Sequence, residues 1–188
     1  ELSALIHQTY RLSSLIEDLL LLSRMDAGRL KLEMSPVNFS QLIEAALDDL
    51  SALPAEVDVS VETDFPPELF VLGEKRYTSI ILHNLLENAR KYNQPGGRIR
   101  VAAGRDGTAV RVTIGNTGPV IPAATRAHIF ERFHRGTMGE NVPGYGLGLN
   151  LARELARLHQ GELRLTRSDS DWTEFELTLR PARSGQAV

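Results

Sequence analysis

Paired amide and charged side chains stand at helical spacing in the segment Glu74–Tyr92. Asn84 and Asn88 lie four residues apart, and Glu87 and Lys91 form a second pair at the same spacing. In a helix, residues at this spacing share a face. Amide oxygens are hard ligands of the kind that Mg²⁺ accepts. The two asparagines could equally be bonded within a core or at a helix end, because a buried amide needs only hydrogen-bond partners.

A polar turn follows a segment of alternating apolar residues further along the chain. Asn116, Thr117 and Gly118 precede Pro119, shortly after the alternation ends at Ile114. Glycine permits a close approach of the backbone to a ligand. The alternative is a plain turn, which these residue types form on their own.

Three alternate glycines lead into a helical pattern. Gly144, Gly146 and Gly148 precede it, and a glycine-rich entry to a helix N-terminus is a natural cradle for phosphate. A dinucleotide fingerprint is excluded, because Leu149 occupies the position of its last glycine and a polar loop stands in place of a strand. No Gly-Lys-Ser or Gly-Lys-Thr occurs, so the sequence contains no P-loop.

The order and spacing of these stretches resemble the ATP-binding domain of sensor histidine kinases. That domain belongs to the superfamily shared with type II topoisomerases, the Hsp90 chaperones and the MutL mismatch-repair ATPases. The resemblance covers about residues 30–180, and Ile129–Arg135 matches the phenylalanine-bearing box of the family. It implies ATP and Mg²⁺ as cofactors.

The resemblance assigns roles to the paired side chains of the first stretch. It implies that Asn88 coordinates Mg²⁺, that Lys91 contacts phosphate, and that Tyr92 leans on the nucleotide. Asn84 matches the first asparagine of the motif and would hold in place the residues that contact the nucleotide. Glu87 could position a water or the phosphoryl acceptor.

Adenine would be read at the second stretch. The family places an aspartate where this chain has Asn116, a glycine matched by Gly118, and another glycine where this chain has Val120. An asparagine oxygen can accept the same bond from the adenine amine, with roughly half the strength because the charge is absent.

Further residues are implied to bind the nucleotide through the glycine stretch and two weaker motifs. They are Arg132, Arg135, Gly144, Gly146, Leu147, Gly148 and Thr173. Phe130 and Phe133 are predicted to be core residues, and residues 136–146 to form a short lid. Asp171 and Trp172 replace the glycines usual before the position of Thr173.

The first segment reads as a long amphipathic helix, from Leu2 to Met25. Leucines recur along it on a seven-residue seam, and Gly28 ends it. The resemblance makes it the second helix of a dimerisation and phosphoacceptor hairpin, within a dimeric four-helix bundle. A helix packed on its own globular domain is the alternative.

The remaining pattern predicts a two-layer α/β sandwich, a mixed sheet with helices on one face, preceded by this helical stub. The predicted elements are a strand at Arg29–Met34, a helix from a capping box at Asn38 and Gln41 to about Leu53, strands at Val57–Val61 and Phe70–Leu72, a helix at Glu74–Tyr92, a hairpin of Arg98–Ala103 and Ala109–Ile114, a helix at Leu147–His159, and strands near Glu162–Thr166 and Glu174–Leu179. Residues 182–188 are predicted to be a disordered tail.

The composition excludes several classes of protein. A formal net charge of −3 without a basic stripe argues against nucleic-acid binding. The sequence contains no cysteine, which excludes disulfides and thiolate chemistry. Its longest aliphatic run, Leu19–Leu22, is far shorter than the ~20 residues of a membrane span.

The phosphoacceptor motif of the family is missing. Family kinases carry a histidine followed by an acidic residue, whereas His7 precedes Gln8 and Thr9. We therefore expect a catalytic fragment that begins after the phosphoacceptor helix. Its expected parts are the helical stub at residues 1–28, the ATP-binding domain at 29–181 and the tail.

The expected function is that of a cytoplasmic histidine kinase fragment, from a parent that could be anchored in the inner membrane. It would transfer the γ-phosphoryl of Mg·ATP to a histidine on an absent upstream helix, for relay to an aspartate of a response regulator receiver domain. The full-length protein would be a homodimer through its hairpin. The alternatives are a degenerate pseudokinase scaffold, suggested by Asn116 and Val120, and a stand-alone ATPase whose catalytic base Glu87 could imitate.

Overall fold

The computed structural model describes residues 2–52, 58–134 and 144–182, except for the side chains of residues 2–7, 10 and 11. The chain forms two compact units, divided between Leu32 and Glu33. In the first, helix α1 (Leu2–Asp26) confirms the predicted long helix. It is followed by Gly28 at a φ of 62°, a conformation that favours glycine.

Most of the predicted apolar face of α1 is exposed where its side chains are described, although Leu22 is buried. Leu12 and Leu20 are each more than half exposed, and Ile16 and Leu19 are also exposed. Within the described residues, no helix is apolar and long enough to cross a membrane.

The second unit is built on a five-stranded sheet. Its elements are β1 (Ser35–Asn38), α2 (Phe39–Ala52), β2 (Val59–Asp64), β3 (Phe70–Gly73), α3 (Lys75–Lys91), β4 (Gly97–Asp106), β5 (Ala109–Thr117), α4 (Ala123–Arg126), α5 (Gly148–Leu158), β6 (Glu162–Asp169) and β7 (Trp172–Leu179). The strand order is β2-β4-β5-β7-β6, and β1 and β3 pair separately. Only the β2–β4 pair among these is parallel, so the sheet is mixed.

The two faces of the sheet differ in chemistry, as strand alternation requires. One face buries apolar side chains such as Ile99, Val101 and Leu177 against the helices. The other carries ion pairs, including Arg100 with Asp64. In the described part of the chain, helices therefore cover one face of the sheet, which confirms the predicted two-layer sandwich.

The strand predicted at Arg29–Met34 is wrong. These residues are not in a strand, and β1 begins at Ser35 because its antiparallel partner β3 lies opposite Ser35–Asn38. Alternation alone does not reveal which residues face a partner strand. The N-cap half of the predicted capping box is confirmed, since the Gln41 N–H donates to Asn38 Oδ1 at 3.2 Å.

The order at the C-terminal end extends past the last strand. Pro181 bridges to Val71, and the Ala182 N–H donates to the Phe70 carbonyl at 3.1 Å. Ala182, which we assigned to the tail, therefore lies in the fold. The rest of the predicted tail lies outside the described residues.

A glycine in β5 makes room for the single tryptophan. A Cβ at Gly115 would lie 2.5 Å from Cζ2 of Trp172, whereas a Cβ at Gly104 in β4 would meet nothing within 4 Å. We predict that Gly115→Ala lowers the free energy of unfolding by about 1–3 kcal/mol through overpacking. Gly104→Ala should be neutral or stabilising by up to about 1 kcal/mol. Urea titrations compare them, and equal losses would contradict the prediction.

Candidate nucleotide site

A cleft between the sheet and the helices collects several of the predicted residues. Asn88 and Tyr92 from α3, Asn116 from β5 and Thr173 from β7 all line it. Its apolar walls are formed by Val120, Ile121, Ile129, Leu149 and Phe175. A flat base needs such walls, with a few polar groups to orient it. A wider depression between α2 and β2 is lined by Glu44, Asp48 and Asp64 and contains none of the predicted residues.

Asn116 is held in one orientation by backbone carbonyls. Its Nδ2 donates to the Thr117 carbonyl at 2.8 Å and to the Tyr92 carbonyl at 3.4 Å. These bonds use both hydrogens of the amide nitrogen. Oδ1 is therefore the atom that Asn116 can offer to the cleft as an acceptor.

Gly118 is required for this arrangement. Its φ is 151°, and a Cβ there would overlap the Tyr92 carbonyl oxygen. The Gly118 N–H also donates to the Asp171 carbonyl at 2.8 Å, which fixes the turn to the start of β7. The absence of a side chain at Gly118 thus leaves space for the Tyr92 carbonyl, which also accepts a hydrogen bond from Asn116.

Thr173 stands beside Asn116 in the sheet register. Its Oγ1 lies 3.0 Å from Oγ of Ser168, which accepts the Ile121 N–H at 2.8 Å. Ser168 is buried and was not predicted. It ties the cleft wall at Ile121 to the strand pair that carries Thr173.

Another unpredicted cluster lies at the end of α3. Thr117 Oγ1 donates to Asn93 Oδ1 at 2.6 Å and accepts the Arg98 N–H at 2.9 Å. Asn93 Nδ2 donates to the carbonyls of Ala89 and Arg98. The cluster joins the end of α3 to β4 and β5, on either side of Tyr92 and Asn116. In the sequence, only the polar character of these residues indicates such a cluster.

The helix motif and the glycine motif meet directly. A Cβ at Gly148 would lie 2.5 Å from Asn84 Oδ1, and a Cβ at Gly144 would overlap Lys91 Nζ. Asn84 Nδ2 donates to the Ile80 carbonyl at 2.9 Å, so its oxygen faces α5. The structure therefore places an ammonium beside the predicted phosphate loop. Leu147 is buried at the N-cap of α5, where it packs rather than reaching outward.

The phenylalanine-bearing box is attached to α5. Asn150 Nδ2 donates to the Phe130 carbonyl at 2.8 Å, and the Arg153 guanidinium lies 4.7 Å from the centre of the Phe130 ring. Phe130 is half-buried, but Phe133 is 60% exposed at a φ of 60°, so its prediction as a core residue was wrong. Its backbone N–H donates to the Gly146 carbonyl at 3.0 Å.

Arg153 also binds Glu162 and anchors α5 to β6. Burial raises the pKa of Glu162, but hydrogen bonds from Arg153 and the Leu163 N–H, together with the charge of Arg157, lower it below its usual value. The carboxylate therefore stays ionised near neutral pH. Its pairing fixes the helix that follows the glycine loop.

His134 adds an unpredicted polar atom to the cleft wall. Its Nε2 is buried and, within the described part of the chain, has no hydrogen-bond partner. A buried nitrogen of this kind needs water or a ligand to satisfy it. The cleft thus offers unmet hydrogen-bonding capacity beside Asn88 and Asn116, which fits a polar ligand.

Among the described residues, some of the predicted site residues do not line the cleft. Glu87 and Arg132 are exposed, and neither lines it. Arg135 and most of the predicted lid lie outside the described residues. No cluster of three His, Cys, Asp or Glu side chains that could hold a metal occurs among the described residues. A magnesium ion at Asn88 would therefore depend on nucleotide phosphates and water for its other ligands, as is usual for Mg²⁺.

Comparison with known proteins identifies this arrangement. Residues 73–183 match the family described as histidine kinase-, DNA gyrase B-, and HSP90-like ATPase. The chain belongs to this family. The match begins at Gly73 before α3 and covers every element that contributes to the cleft.

Sensor histidine kinases are the relatives of this ATPase domain. It is 35% identical over 181 residues to the probable sensor histidine kinase TcrY of Mycobacterium tuberculosis, covering 95% of this chain and 37% of TcrY. It is 32% identical to the adaptive-response sensory kinase SasA of Thermosynechococcus vestitus, covering 92% of this chain and 46% of SasA. The chain spans less than half the length of these curated relatives.

Solved structures show the same fold. The mycobacterial sensor histidine kinase MprB superposes with a TM-score of 0.72 at 28% identity, covering 79% of this chain and all of that one. Full-length ShkA in complex with AMPPNP gives a TM-score of 0.83 at 26% identity, covering 97% of this chain and 39% of ShkA. The N-terminal helix and the sandwich thus both have counterparts in a histidine kinase.

The orientation of Asn116 yields a stability prediction. In Asn116→Asp, a carboxylate oxygen would face the carbonyls of Tyr92 and Thr117, so we expect a loss of about 1–3 kcal/mol in unfolding free energy at neutral pH without nucleotide. The loss should shrink below about pH 5, because a protonated carboxyl can donate to a carbonyl.

Gln94→Glu is the matched control, because Gln94 is an exposed amide. It should change the unfolding free energy by less than about 0.5 kcal/mol. If Asn116→Asp were as stable as the control at neutral pH, the Asn116 amide would have the opposite orientation.

Proposed function

We propose that this chain binds Mg·ATP and presents its γ-phosphoryl group to a histidine on another helix. The convergence of Asn88, Asn116 and Thr173 on one apolar cleft carries this proposal. These residues come from three separate elements, and Asn88 would serve the metal while Asn116 and Thr173 would serve the base. Membership of the ATPase family supports the same ligand.

Base recognition would rest on Asn116. Its Oδ1 can accept a hydrogen bond from the exocyclic amine of adenine, because its nitrogen is held by two carbonyls. A guanine base presents an oxygen at that position and would meet oxygen against oxygen. Thr173 and the ring of Tyr92 would complete the base site, between apolar walls.

Phosphate and metal would bind at the opposite end of the cleft. Asn88 would supply one oxygen to Mg²⁺, while Lys91 and the backbone of the Gly144–Gly148 loop would face the phosphates. The ion would supply charge neutralisation when bound. Phosphoryl transfer depends mainly on positioning and charge neutralisation, and a rigid α3 serves both.

The phosphoryl acceptor would be a histidine on another helix, because the described histidine side chains of this chain are buried, bonded to carboxylates or part of the cleft wall. His159 is fully buried, His83 is bonded to Asp49 and His128 to Glu131, and His134 lies in the wall of the cleft. The side chain of His7 lies outside the described residues. Exposed Glu87, one residue before Asn88, could receive or orient the acceptor.

The remaining parts of the proposal concern the intact protein. They are a dimer through the helical hairpin, a response regulator receiver domain as the next acceptor, and a cytoplasmic setting. The similarity to sensor histidine kinases supports them. The exposed apolar residues of α1 favour a helical partner. The same residues would equally serve a pseudokinase scaffold, so nucleotide binding and transfer must be measured separately.

The first test is magnesium-dependent nucleotide binding. ATP with Mg²⁺ should raise the melting temperature by mass action, and Asn88→Ala should remove the magnesium dependence without unfolding the apo protein. Differential scanning fluorimetry and calorimetric titration measure both effects. Lys75→Ala, on the exposed start of the same helix, is the matched control and should bind like the wild type. No shift at millimolar ATP with Mg²⁺ would defeat the proposal.

The second test is transfer to histidine. Incubated with labelled ATP and Mg²⁺, this chain alone should acquire no acid-labile phosphate. Supplied with an upstream helix that carries an acceptor histidine, in the intact dimer, it should transfer phosphate to that histidine. Asn88→Ala in the same dimer is the negative control. Label that maps to His7 or to another histidine of this chain would contradict the assignment.

A further inference from the structure

One histidine is enclosed by the fold at the end of α5. His159 is the C-cap residue of that helix and has no exposed surface. Histidine is seldom fully buried, and a buried imidazole needs partners for both nitrogens. The residue lies far from the cleft along α5, so its burial is not explained by contact with a ligand.

The partners of His159 fix its protonation state. Nδ1 lies 2.7 Å from the Leu155 carbonyl, which can only accept a hydrogen bond. Nδ1 therefore carries the proton, and Nε2 has a lone pair. Nε2 accepts the Glu74 N–H at 3.1 Å, and the Thr78 hydroxyl lies 3.4 Å from it. The imidazole is neutral and serves as a donor on α5 and an acceptor for α3.

This contact caps α3 from a different helix. Glu74 is the N-cap of α3, and no side chain of the usual local kind caps it. A Cβ at Gly73 would lie 3.1 Å from His159 Cδ2 and 2.9 Å from Thr78 Oγ1. The glycine therefore leaves the space in which the imidazole approaches the start of α3.

The two helices have a second close contact at the site. Asn84 on α3 lies against Gly148 at the start of α5. Because Glu74 meets His159 while Asn84 meets Gly148, the helices run antiparallel. The segments between the contacts rise about 15 Å along α3 and about 16 Å along α5. The His159 contact and the site contact thus define opposite ends of one helix pair.

We propose that His159 is a positioning residue of the nucleotide site. Its neutral imidazole fixes the axial position of α3 against α5, and so sets the distance from Asn84 and Asn88 to the glycine loop. This inference rests on the proposed binding of Mg·ATP. A displacement of about 1 Å between binding groups has large effects on their performance.

The test compares two replacements of His159. His159→Phe keeps a ring of similar size but removes the acceptor for the Glu74 N–H, and we expect at least about tenfold weaker Mg·ATP binding in a folded protein. His159→Gln retains an acceptor, and we expect affinity within about threefold of the wild type. Calorimetric titration measures both. Val112→Ala, in the buried part of β5, controls for lost stability and should not weaken binding.

A second readout does not require nucleotide. In amide NMR spectra of the apo protein, His159→Phe should shift the side-chain signals of Asn84 and Asn88, whereas Val112→Ala should not. Gly73→Ala, which crowds the imidazole, should weaken binding in the same direction and serves if His159→Phe does not fold.

The outcomes separate this inference from the proposed function. If the wild type fails to bind Mg·ATP, the proposed function is overturned, and the NMR comparison alone judges His159. Unchanged Asn84 and Asn88 signals and unchanged affinity in a folded His159→Phe would overturn the positioning role. An equal loss of affinity in Val112→Ala would also overturn it, because general destabilisation would then explain the effect.

Discussion

The close approach of α3 to α5 is the constraint on which the site depends. A Cβ at position 148 would lie 2.5 Å from Asn84 Oδ1, so any residue other than glycine there would displace the Asn84 side chain. Ile81, Leu82, Leu85 and Leu86 are buried and hold α3 in place. Fully burying each such side chain contributes about 1.5–3 kcal/mol. That apolar packing sets the positions from which Asn88 and Lys91 act.

Neutral hydrogen bonds to the backbone arrange the base end of the cleft. Asn116, Thr117 and Ser168 are each bonded to main-chain groups, and all three are buried. Such bonds contribute only about 0.5–1.5 kcal/mol each, but leaving one partner unsatisfied costs more. The side chains are therefore fixed before a ligand arrives. A neutral asparagine suits this setting, because a carboxylate could not donate to the carbonyls of Tyr92 and Thr117.

The sequence predicted the elements in which apolar residues recur at a regular spacing. The long helix α1, the Glu74–Tyr92 helix and the hairpin followed directly from the repeat of apolar residues, and the motifs placed Asn88, Asn116 and Thr173 together. Strand β1 was misplaced, because its position depends on the partner strand β3.

Contacts between distant residues could not be predicted from the sequence. Ser168 reaches Ile121 across 47 residues, and His159 reaches Glu74 across 85. Neither contact leaves a local pattern. The prediction that Phe133 is a core residue was wrong for a related reason, since its positive φ and its bond to Gly146 exist only in the folded chain.

The most direct test of the central claim is an amide NMR titration with ATP and with GTP. ATP with Mg²⁺ should shift the signals of Asn116, Thr173 and Asn88, with the Asn88 shift requiring the metal, and GTP should leave Asn116 unchanged. Shifts confined to the depression near Asp48, or equal shifts at Asn116 with both nucleotides, would contradict the claim that this cleft reads adenine.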